Sequence, residues 1–259
     1  MIDAHCHFHF PEVLEAAVEF LEEQSAEYQC VCNGTQPEDW EDVAELADRF
    51  EGVTPAFGVH PWQVKDAAEI EGTMELLRET LKRHPSAQVG EIGLDRWIEG
   101  YDIDLQIQWF IAQLALAAEL KRPATIHCLK AWGQLRKVLA SADLPKTFLI
   151  HAYSGPRELI RTLVDVGAYF SFSTYFLGES QVKKRAVFEH IPIERILVET
   201  DAPSMCPKVE VSGRQVVSGG HNHPGNLDLA YAGLAEFRGL GVVELHQIVE
   251  DNFCRFCAG

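Results

Sequence analysis

Two histidines separated by one residue lie near the start of the chain. The first ten residues, MIDAHCHFHF, place His5 and His7 two positions apart. In a β-strand both imidazoles then lie on one face, together with Asp3, while Cys6 lies on the other face. Two imidazoles on one strand face can bind one metal ion. Taken alone, the pair is equally consistent with structural histidines.

Further metal-competent side chains occur where other predicted strands end. They are His60 in FGVHPW, Glu91 in VGEIGL, His127 in ATIHC, His151 in FLIHAY and Asp201 in LVETDAP. Imidazoles and carboxylates without thiolates suit Zn, Mn, Co, Fe or Ni, whereas Mg prefers an all-oxygen site. The predicted metal ligands are His5, His7, Glu91, His127, His151 and Asp201. This set is larger than one tetrahedral zinc ion takes, so we predict two divalent ions that share a bridging carboxylate.

Eight apolar or β-branched segments, each followed by a segment of helical composition, must position these donors. The segments are MIDAHCH, YQCVCNG, VTPAFGVH, AQVGEIGL, PATIHCL, KTFLIHAY, AYFSFS and RILVETDAP. Helices are expected near 12–27, 38–50, 66–84, 103–121, 131–141, 156–166, 179–190, 227–238 and 243–256. Strand followed by helix, eight times, predicts an α/β fold of the (β/α)8 TIM barrel type, whose active site lies at the C-terminal strand ends.

The absence of a glycine-rich phosphate-binding loop favours the barrel over the alternative fold, an open doubly wound sheet. An open doubly wound sheet predicts such a loop after the first strand, but HCHFHFPEV contains no glycine. No Pro/Gly/Ser-rich linker divides the 259 residues, so we predict a single domain over residues 1–259.

Composition and charge restrict the class of protein. The net charge of −17 argues against a protein that coats DNA or an acidic membrane surface. It does not exclude an enzyme that binds phosphate beside divalent cations. The seven cysteines have no framework spacing and no secretory signal is expected, which predicts reduced thiols in the cytoplasm and no membrane insertion. We interpret the pairs Cys30/Cys32 and Cys254/Cys257 as packing residues.

The motifs DAHCH, GVHPW, GEIGLD, IHC, HAYSG, ETDAP and NHPGNL, spread over residues 3–227, resemble those of the TatD family. This family of metal-dependent hydrolases belongs to the amidohydrolase-like barrels, and its best-known members are deoxyribonucleases. The resemblance implies that His5 and His7 bind one ion and that His127 and His151 bind the other. It also implies that Glu91 bridges both ions, and that Asp201 contacts the first ion and the attacking water.

The sequence departs from the family pattern at four positions. Leu129 replaces an Arg that commonly follows IHC, and His9 stands where an acidic residue is usual. Arg96 replaces a frequent Tyr, and His223 replaces a usual Glu. None of these changes removes a predicted ligand, but Leu129 removes a cation that could bind phosphate.

The expected activity is hydrolysis of an ester bond by water activated between two divalent ions, as in a deoxyribonuclease or other phosphodiesterase. DNA or another phosphodiester is the expected partner, and the sequence, which leaves the oligomeric state open, is compatible with a monomer. Two alternatives remain. One is an ester or amide hydrolase such as an aminoacyl-tRNA deacylase, and the other is a non-catalytic metal-binding barrel.

The predicted catalytic residues are Asp201, Glu91 and His60. Asp201 would orient the water and accept its proton. His60 would contact phosphate or protonate the leaving group, or else be held in a turn by HPW. His60, Arg96 and Lys130 are the candidate substrate contacts.

Three further assignments concern the surroundings of the site. Asp3 either fixes an imidazole tautomer or satisfies backbone amides. Glu199 is expected to have a structural role away from the ligand face. The glycine-rich loop from Ala202 to Asn226 is expected to cover the site.

Overall fold

Eight parallel strands form one barrel sheet in the computed structural model, which describes residues 1–24 and 28–259. The strands follow one another around the barrel in chain order. They are β1 (Ile2–Cys6), β2 (Gln29–Asn33), β3 (Val53–Phe57), β4 (Gln88–Asp95), β5 (Ala124–Leu129), β6 (Phe148–Ile150), β7 (Ala168–Phe172) and β8 (Ile196–Val198). The predicted (β/α)8 barrel is confirmed, whereas the single domain over residues 1–259 stays a prediction.

The helices surround this sheet. They are α1 (Leu14–Glu23), α2 (Trp40–Arg49), α3 (Ile70–Arg83), α4 (Ile103–Leu120), α5 (Trp132–Leu139), α6 (Ile160–Asp165), α7 (Val182–Arg185), α8 (Leu227–Arg238) and α9 (Val242–Ala258). The long helix predicted over 179–190 is wrong: α7 is a single turn between the 3₁₀ turns Glu179–Gln181 and Ala186–Glu189. The helix predicted over 12–27 extends into residues 25–27, which lie outside the described residues. No helix in the two described ranges is both long enough and apolar enough to cross a lipid bilayer.

Strand β1 shows how alternation divides core from site. Ile2, Ala4 and Cys6 pack in the apolar core, while His5 and His7 point towards carboxylates at the mouth of the barrel. A strand directs successive side chains to opposite faces, so the sequence DAHCH places both imidazoles on the inner face.

The junction between β1 and the segment after β8 closes the barrel beside the site. The Asp201 backbone N–H donates to His5 O (3.0 Å), and the His7 N–H donates to Ala202 O (2.8 Å). Asp3 stabilises the same junction, since its carboxylate accepts bonds from the Thr200 backbone N–H (2.9 Å) and hydroxyl (2.6 Å). The interpretation of Asp3 as an acceptor for backbone amides is the one that this geometry supports.

Two buried glutamines on α4 hold the segment after β3 and the last residue of β4. The Gln113 side chain accepts from Val59 N (2.7 Å) and donates to Val59 O (3.1 Å). Gln106 makes the same pair of bonds with the backbone of Asp95, at 2.8 and 3.0 Å. The two glutamines are seven residues apart and so lie on one helix face. Because Val59 precedes His60, α4 fixes the backbone at two points beside the predicted site.

Candidate metal centre

The structure brings all six predicted ligands together at the C-terminal end of the barrel. His5 and His127 lie within strands, and His7 and His151 each follow the last residue of a strand directly. Three groups of donors have ligand atoms that lie within 4.8 Å of one another. They are His5, His151 and Asp201; His5, His7 and Glu91; and His60, Glu91 and His127. Convergence of the strand ends therefore gathers residues that are up to 196 positions apart in the sequence.

The two oxygens of Glu91 face different sets of imidazoles. Glu91 Oε2 lies 3.2 Å from His7 Nε2 and 3.5 Å from His5 Nε2. Glu91 Oε1 lies 2.8 Å from His151 Nε2 and 3.0 Å from His127 Nδ1. The carboxylate thus stands between the two pairs of histidines.

Asp201 lies on the side of the first pair. Its Oδ1 is 3.4 Å from His5 Nε2 and 3.6 Å from His7 Nε2. Burial opposes ionisation of Asp201, but the neighbouring His5 and His151 hold its pKa below the usual value. The carboxylate is therefore ionised at neutral pH.

Histidines and carboxylates shift each other's pKa strongly in this pocket. Burial raises the pKa of Glu91, but the surrounding His151, His60 and His5 outweigh it and leave the pKa well below its ordinary range. Burial and the nearby His151 lower the pKa of His5, yet Glu91 and Asp201 bring it to about 9. Because imidazole must be neutral to bind a metal, an ion that enters here must displace protons.

Several buried nitrogens of the pocket lack a hydrogen-bond partner. Both ring nitrogens of His5 and the Nδ1 of His151 are in this state. Of these, His5 Nε2 faces the carboxylates of Glu91 and Asp201, whereas His151 Nδ1 faces Glu199 behind the ring. Buried polar groups are nearly always paired, so unpaired nitrogens that face carboxylates need another partner. A divalent cation supplies one, and the donor set of imidazoles and carboxylates without thiolate fits a borderline transition metal.

Asp95 orients His127 from behind, and sequence reasoning missed it. Its Oδ2 lies 2.9 Å from His127 Nε2 and also accepts a bond from Trp62 Nε1 (2.9 Å). Burial raises the pKa of Asp95, but the hydrogen bonds from His127 and from the backbone N–H of Trp97 bring it to about 2. A proton on Nε2 leaves the lone pair of Nδ1 directed at the pocket. The D of GEIGLD was a readable signal, since Asp95 is four residues after Glu91 on one strand.

Glu199 has the corresponding place behind His151. The expectation that this residue lies away from the ligand face is wrong, because its Oε1 is 3.8 Å from His151 Nδ1. The same oxygen accepts from the Ala152 backbone N–H (2.9 Å), and the other oxygen accepts from the Ser171 hydroxyl. Glu199 is two residues before Asp201, and this even spacing was the signal for a shared face.

His60 both faces the donors and belongs to a turn. Its Nδ1 accepts from the Trp62 backbone N–H (3.1 Å), so a neutral ring carries its proton on Nε2, which is 3.5 Å from Glu91 Oε1. Burial lowers the pKa of His60 to about 3; Glu91 acts in the opposite direction, and His127 and other nearby histidines lower the pKa further. The ring is therefore a neutral hydrogen-bond donor at physiological pH.

The two predicted cationic contacts differ in position. Arg96 is exposed, and its Nε donates to the Tyr101 hydroxyl (3.2 Å) over the ring of that residue. Lys130 lines a cavity of about 630 Å³ that borders His127 and His151. Arg96 is not among the described residues that line this cavity.

The loop from Ala202 to Asn226 contributes to the wall of this cavity. Met205, Cys206 and Lys208 line it, while a short hairpin of β9 (Val216–Val217) and β10 (His221–Asn222) follows later in the loop. His223 accepts a bond from the Gly225 N–H (3.0 Å) and so caps a turn.

The family model described as TatD related DNase matches residues 2–258. The chain belongs to the TatD family. The predicted resemblance is thereby confirmed, and with it the interpretation as a metal-dependent hydrolase of this family.

Relatives of this TatD-family chain agree with the assignment. The uncharacterized metal-dependent hydrolase YjjV of Escherichia coli is 29% identical over 257 residues, which cover 97% of this chain and 95% of that protein. The crystal structure of YjjV has a TM-score of 0.88 at 27% identity and covers 100% of this chain and 98% of that one.

Two further relatives carry more specific names. A 3'-5' ssDNA/RNA exonuclease TatD of Pectobacterium parmentieri is 31% identical over 199 residues, covering 75% of this chain and 74% of that protein. The human deoxyribonuclease TATDN3 is 25% identical over 270 residues, covering 97% and 92%.

Proposed function

We propose that this TatD-family chain is a phosphodiesterase that shortens single-stranded nucleic acid from an end, using two divalent ions. The observation that carries the proposal is the position of Glu91, whose two oxygens face separate pairs of histidines. A carboxylate in this position can bridge two cations, whereas a site for a single ion does not require a separate pair of histidines at each carboxylate oxygen.

The proposed ligand sets follow the two faces of Glu91. His5 and His7, with Asp201 beside them, would hold one ion, and His127 and His151 would hold the other. Divalent ions at this position would make water a stronger nucleophile at neutral pH and would neutralise charge on the phosphoryl oxygens. Zn, Mn, Co and Ni suit these imidazole-rich sets, and Mg suits them less.

Asp201 is the proposed proton acceptor. Its carboxylate is ionised at neutral pH because nearby histidines lower its pKa. An ionised carboxylate can accept a hydrogen bond from the attacking water, orient it and take its proton as the bond to phosphorus forms. The bond from phosphorus to the leaving oxygen breaks in the same displacement, and the proton taken by Asp201 can pass to that oxygen, directly or through solvent.

His60 is the proposed phosphate contact. Since its pKa of about 3 keeps the ring neutral, Nε2–H donates a hydrogen bond but the imidazolium needed for protonating a leaving group is scarcely populated. Of the two catalytic roles predicted for His60, we therefore propose the hydrogen-bond donor. Asp95 and Glu199 are proposed to keep the rings of His127 and His151 in place.

The substrate class rests on the relatives and on the shape of the site. One relative is named an ssDNA/RNA exonuclease and another a deoxyribonuclease, and their names favour a phosphodiester over an aminoacyl ester. The mouth of a barrel admits a single strand more readily than a duplex, so we propose a strand end as the substrate.

The test begins with metal content. Metal analysis of the purified chain should find close to two ions per molecule, and a chain with all histidines intact that takes up none would refute the site. The metal-loaded chain should then be assayed on end-labelled single-stranded DNA and RNA, on an aminoacyl ester and on a simple phosphodiester.

Glu91→Gln is the decisive variant. It should abolish turnover and lower the bound metal, because an amide bridges two cations poorly. Glu119→Gln is the matched control, since Glu119 is exposed and paired with Arg78 on the barrel surface. Full activity of Glu91→Gln, or hydrolysis of the aminoacyl ester alone, would contradict the proposal.

A further inference from the structure

The cavity beside His127 and His151 is lined by cations in a strongly acidic chain. Lys130, Lys184 and Lys208 line it, and its described lining residues include no Asp or Glu. The whole chain has 22 Lys and Arg against 39 Asp and Glu. The cavity lining is therefore positively charged although the chain as a whole is acidic. A concave site lined by one sign of charge attracts the opposite charge, here an anion.

Two of these lysines gather around one aromatic ring. Lys184 Nζ donates to the Tyr175 hydroxyl (3.1 Å) and lies 5.0 Å from the centre of its ring. Lys208 Nζ lies 5.4 Å from the same centre. In the two described ranges neither lysine forms a salt bridge with a carboxylate. Both ammonium groups line the same cavity, so an anion bound there would be attracted by both.

The end of β5 that borders this cavity is uncharged. Leu129 is the last residue of that strand. Leu129 lines the same cavity as Lys184 and Lys208. The positive charge of the cavity is thus supplied by Lys184 of α7, by Lys208 of the loop after β8 and by Lys130, the residue that follows β5.

An exposed indole forms part of the cavity wall. Trp97 is 61% exposed although it lines the cavity. Its backbone N–H donates to Asp95, the carboxylate that also contacts His127 Nε2. Trp97 is therefore held in fixed register with the candidate metal centre. Exposed aromatic rings beside a cationic groove are the means by which proteins bind unpaired bases without reading their sequence.

We infer that this cavity binds the nucleotide next to the cleaved phosphodiester, with its base against Trp97 and a neighbouring backbone phosphate between Lys184 and Lys208. The inference rests on the proposed function and extends it, because it assigns the grip on the substrate to residues outside the metal centre.

The first test is binding without turnover. A fluorescent single-stranded oligonucleotide of about ten nucleotides is titrated in the presence of a chelator while its anisotropy is followed over a range of salt concentrations. Removing one cation that neutralises a phosphate of a single strand reduces the slope of log K against log salt by about 0.7. Because one phosphate is proposed to lie between these two lysines, the double variant Lys184→Gln/Lys208→Gln should reduce the slope by about 0.7. Lys183→Gln, an exposed neighbour outside the cavity lining, is the matched control.

Trp97 is tested separately. Trp97→Ala should raise the dissociation constant at least about 5-fold, the lower limit for removing one base–aromatic stack, and Trp97→Phe should restore most of the affinity. With the metal-loaded chain, kcat/KM for the oligonucleotide should fall further than kcat/KM for methyl p-nitrophenyl phosphate, which has one phosphate and no base.

The outcomes separate this inference from the proposed function. If the lysine and Trp97 variants bind and cleave the oligonucleotide as Lys183→Gln does, the cavity does not bind the substrate and the inference is overturned. If the unmodified chain cleaves neither substrate, the proposed function fails, and this result requires no variant. The binding titration in chelator tests whether the cavity binds the oligonucleotide even if the unmodified chain cleaves neither substrate.

Discussion

Replacing Asp95 with Asn tests whether the structure has located the residue that orients His127. The buried Asp95 carboxylate contacts His127 Nε2 and Trp62 Nε1, both at 2.9 Å. It also accepts bonds from the backbone N–H groups of Trp97 and of Ile98, the latter at 3.2 Å. An Asn amide has one oxygen for these four donors, and its NH2 group would face another donor. The variant therefore loses the charged bond to His127, and the ring is free to turn.

The loss of metal affinity expected for Asp95→Asn can be worked out in two ways. A hydrogen bond to a charged group contributes about 1.5 to 3 kcal/mol. Loss of a carboxylate behind a metal-bound histidine typically costs about 10- to 100-fold in metal affinity, which at about 1.36 kcal/mol per tenfold is about 1.4 to 2.7 kcal/mol. The two ranges agree, so we expect Asp95→Asn to weaken binding at the His127 side by about 10- to 100-fold.

The assay is a competition titration of Zn or Mn against a chromophoric chelator, with thermal unfolding of the metal-free chain measured in parallel. Asp102→Asn is the matched control. Asp102 caps α4 by accepting from the N–H groups of Asp104 and Leu105 at 3.0 Å, and Asn is an equally good cap. If Asp95→Asn is folded and binds metal as tightly as the unmodified chain, Asp95 does not set the orientation of His127 and the reasoning is refuted.

Three other perturbations test the same geometry. Glu199→Gln should weaken metal binding by about 10- to 100-fold through His151. Unchanged affinity in the same titration would show that Glu199, whose Oε1 lies 3.8 Å from His151 Nδ1, does not fix the orientation of the His151 ring. Metal affinity should rise with pH up to about 9, because the pKa of His5 is raised to that value and the protonated ring cannot bind. Calorimetry in buffers of different ionisation enthalpy should detect proton release at neutral pH, and binding without it would contradict the assignment. Gln113→Leu should lower the free energy of unfolding by about 2 to 4 kcal/mol, since it leaves two backbone groups unpaired. Urea titrations measure this change, with Gln108→Leu at an exposed position of the same helix as the control. If both variants unfold at the same urea concentration, Gln113 does not stabilise the backbone at Val59.

The gathering of the donors could be predicted because it depends only on periodicity and topology. Alternation along β1 places His5 and His7 on one face, and parallel strands that close into a barrel bring their C-terminal ends to one mouth. Neither step requires knowledge of a side-chain rotamer. For this reason the six ligands predicted from the sequence are all among the donors that the structure brings together, although Asp201 follows the last residue of β8 by three positions.

For the residues behind the donors, spacing reveals a shared strand face but not the contacts that their side chains make. Whether Asp95 turns towards His127 depends on contacts with Trp62 and with backbone groups that spacing does not reveal. The roles of Gln106 and Gln113 were equally hidden, because a glutamine that bonds to backbone from a buried helix face looks like any surface glutamine in sequence. Helix α7 was predicted too long because Val182–Arg185 and its flanks have helical composition, while 3₁₀ turns interrupt the α-helix on both sides.

The net charge of −17 and an anionic substrate are compatible because of the distances over which charges act. At physiological ionic strength the screening length is about 8 Å, so exposed carboxylates far from the barrel mouth contribute little at the site. Lys184 and Lys208 are half-buried beside the cavity, where solvent screens them less. A strand that approaches this face would therefore meet the lysines, and the cations that the proposed ligands would hold, before the rest of the surface can repel it. The acidic surface disfavours nonspecific coating of nucleic acid, and the cavity would supply the local attraction that the proposed cleavage at a strand end requires.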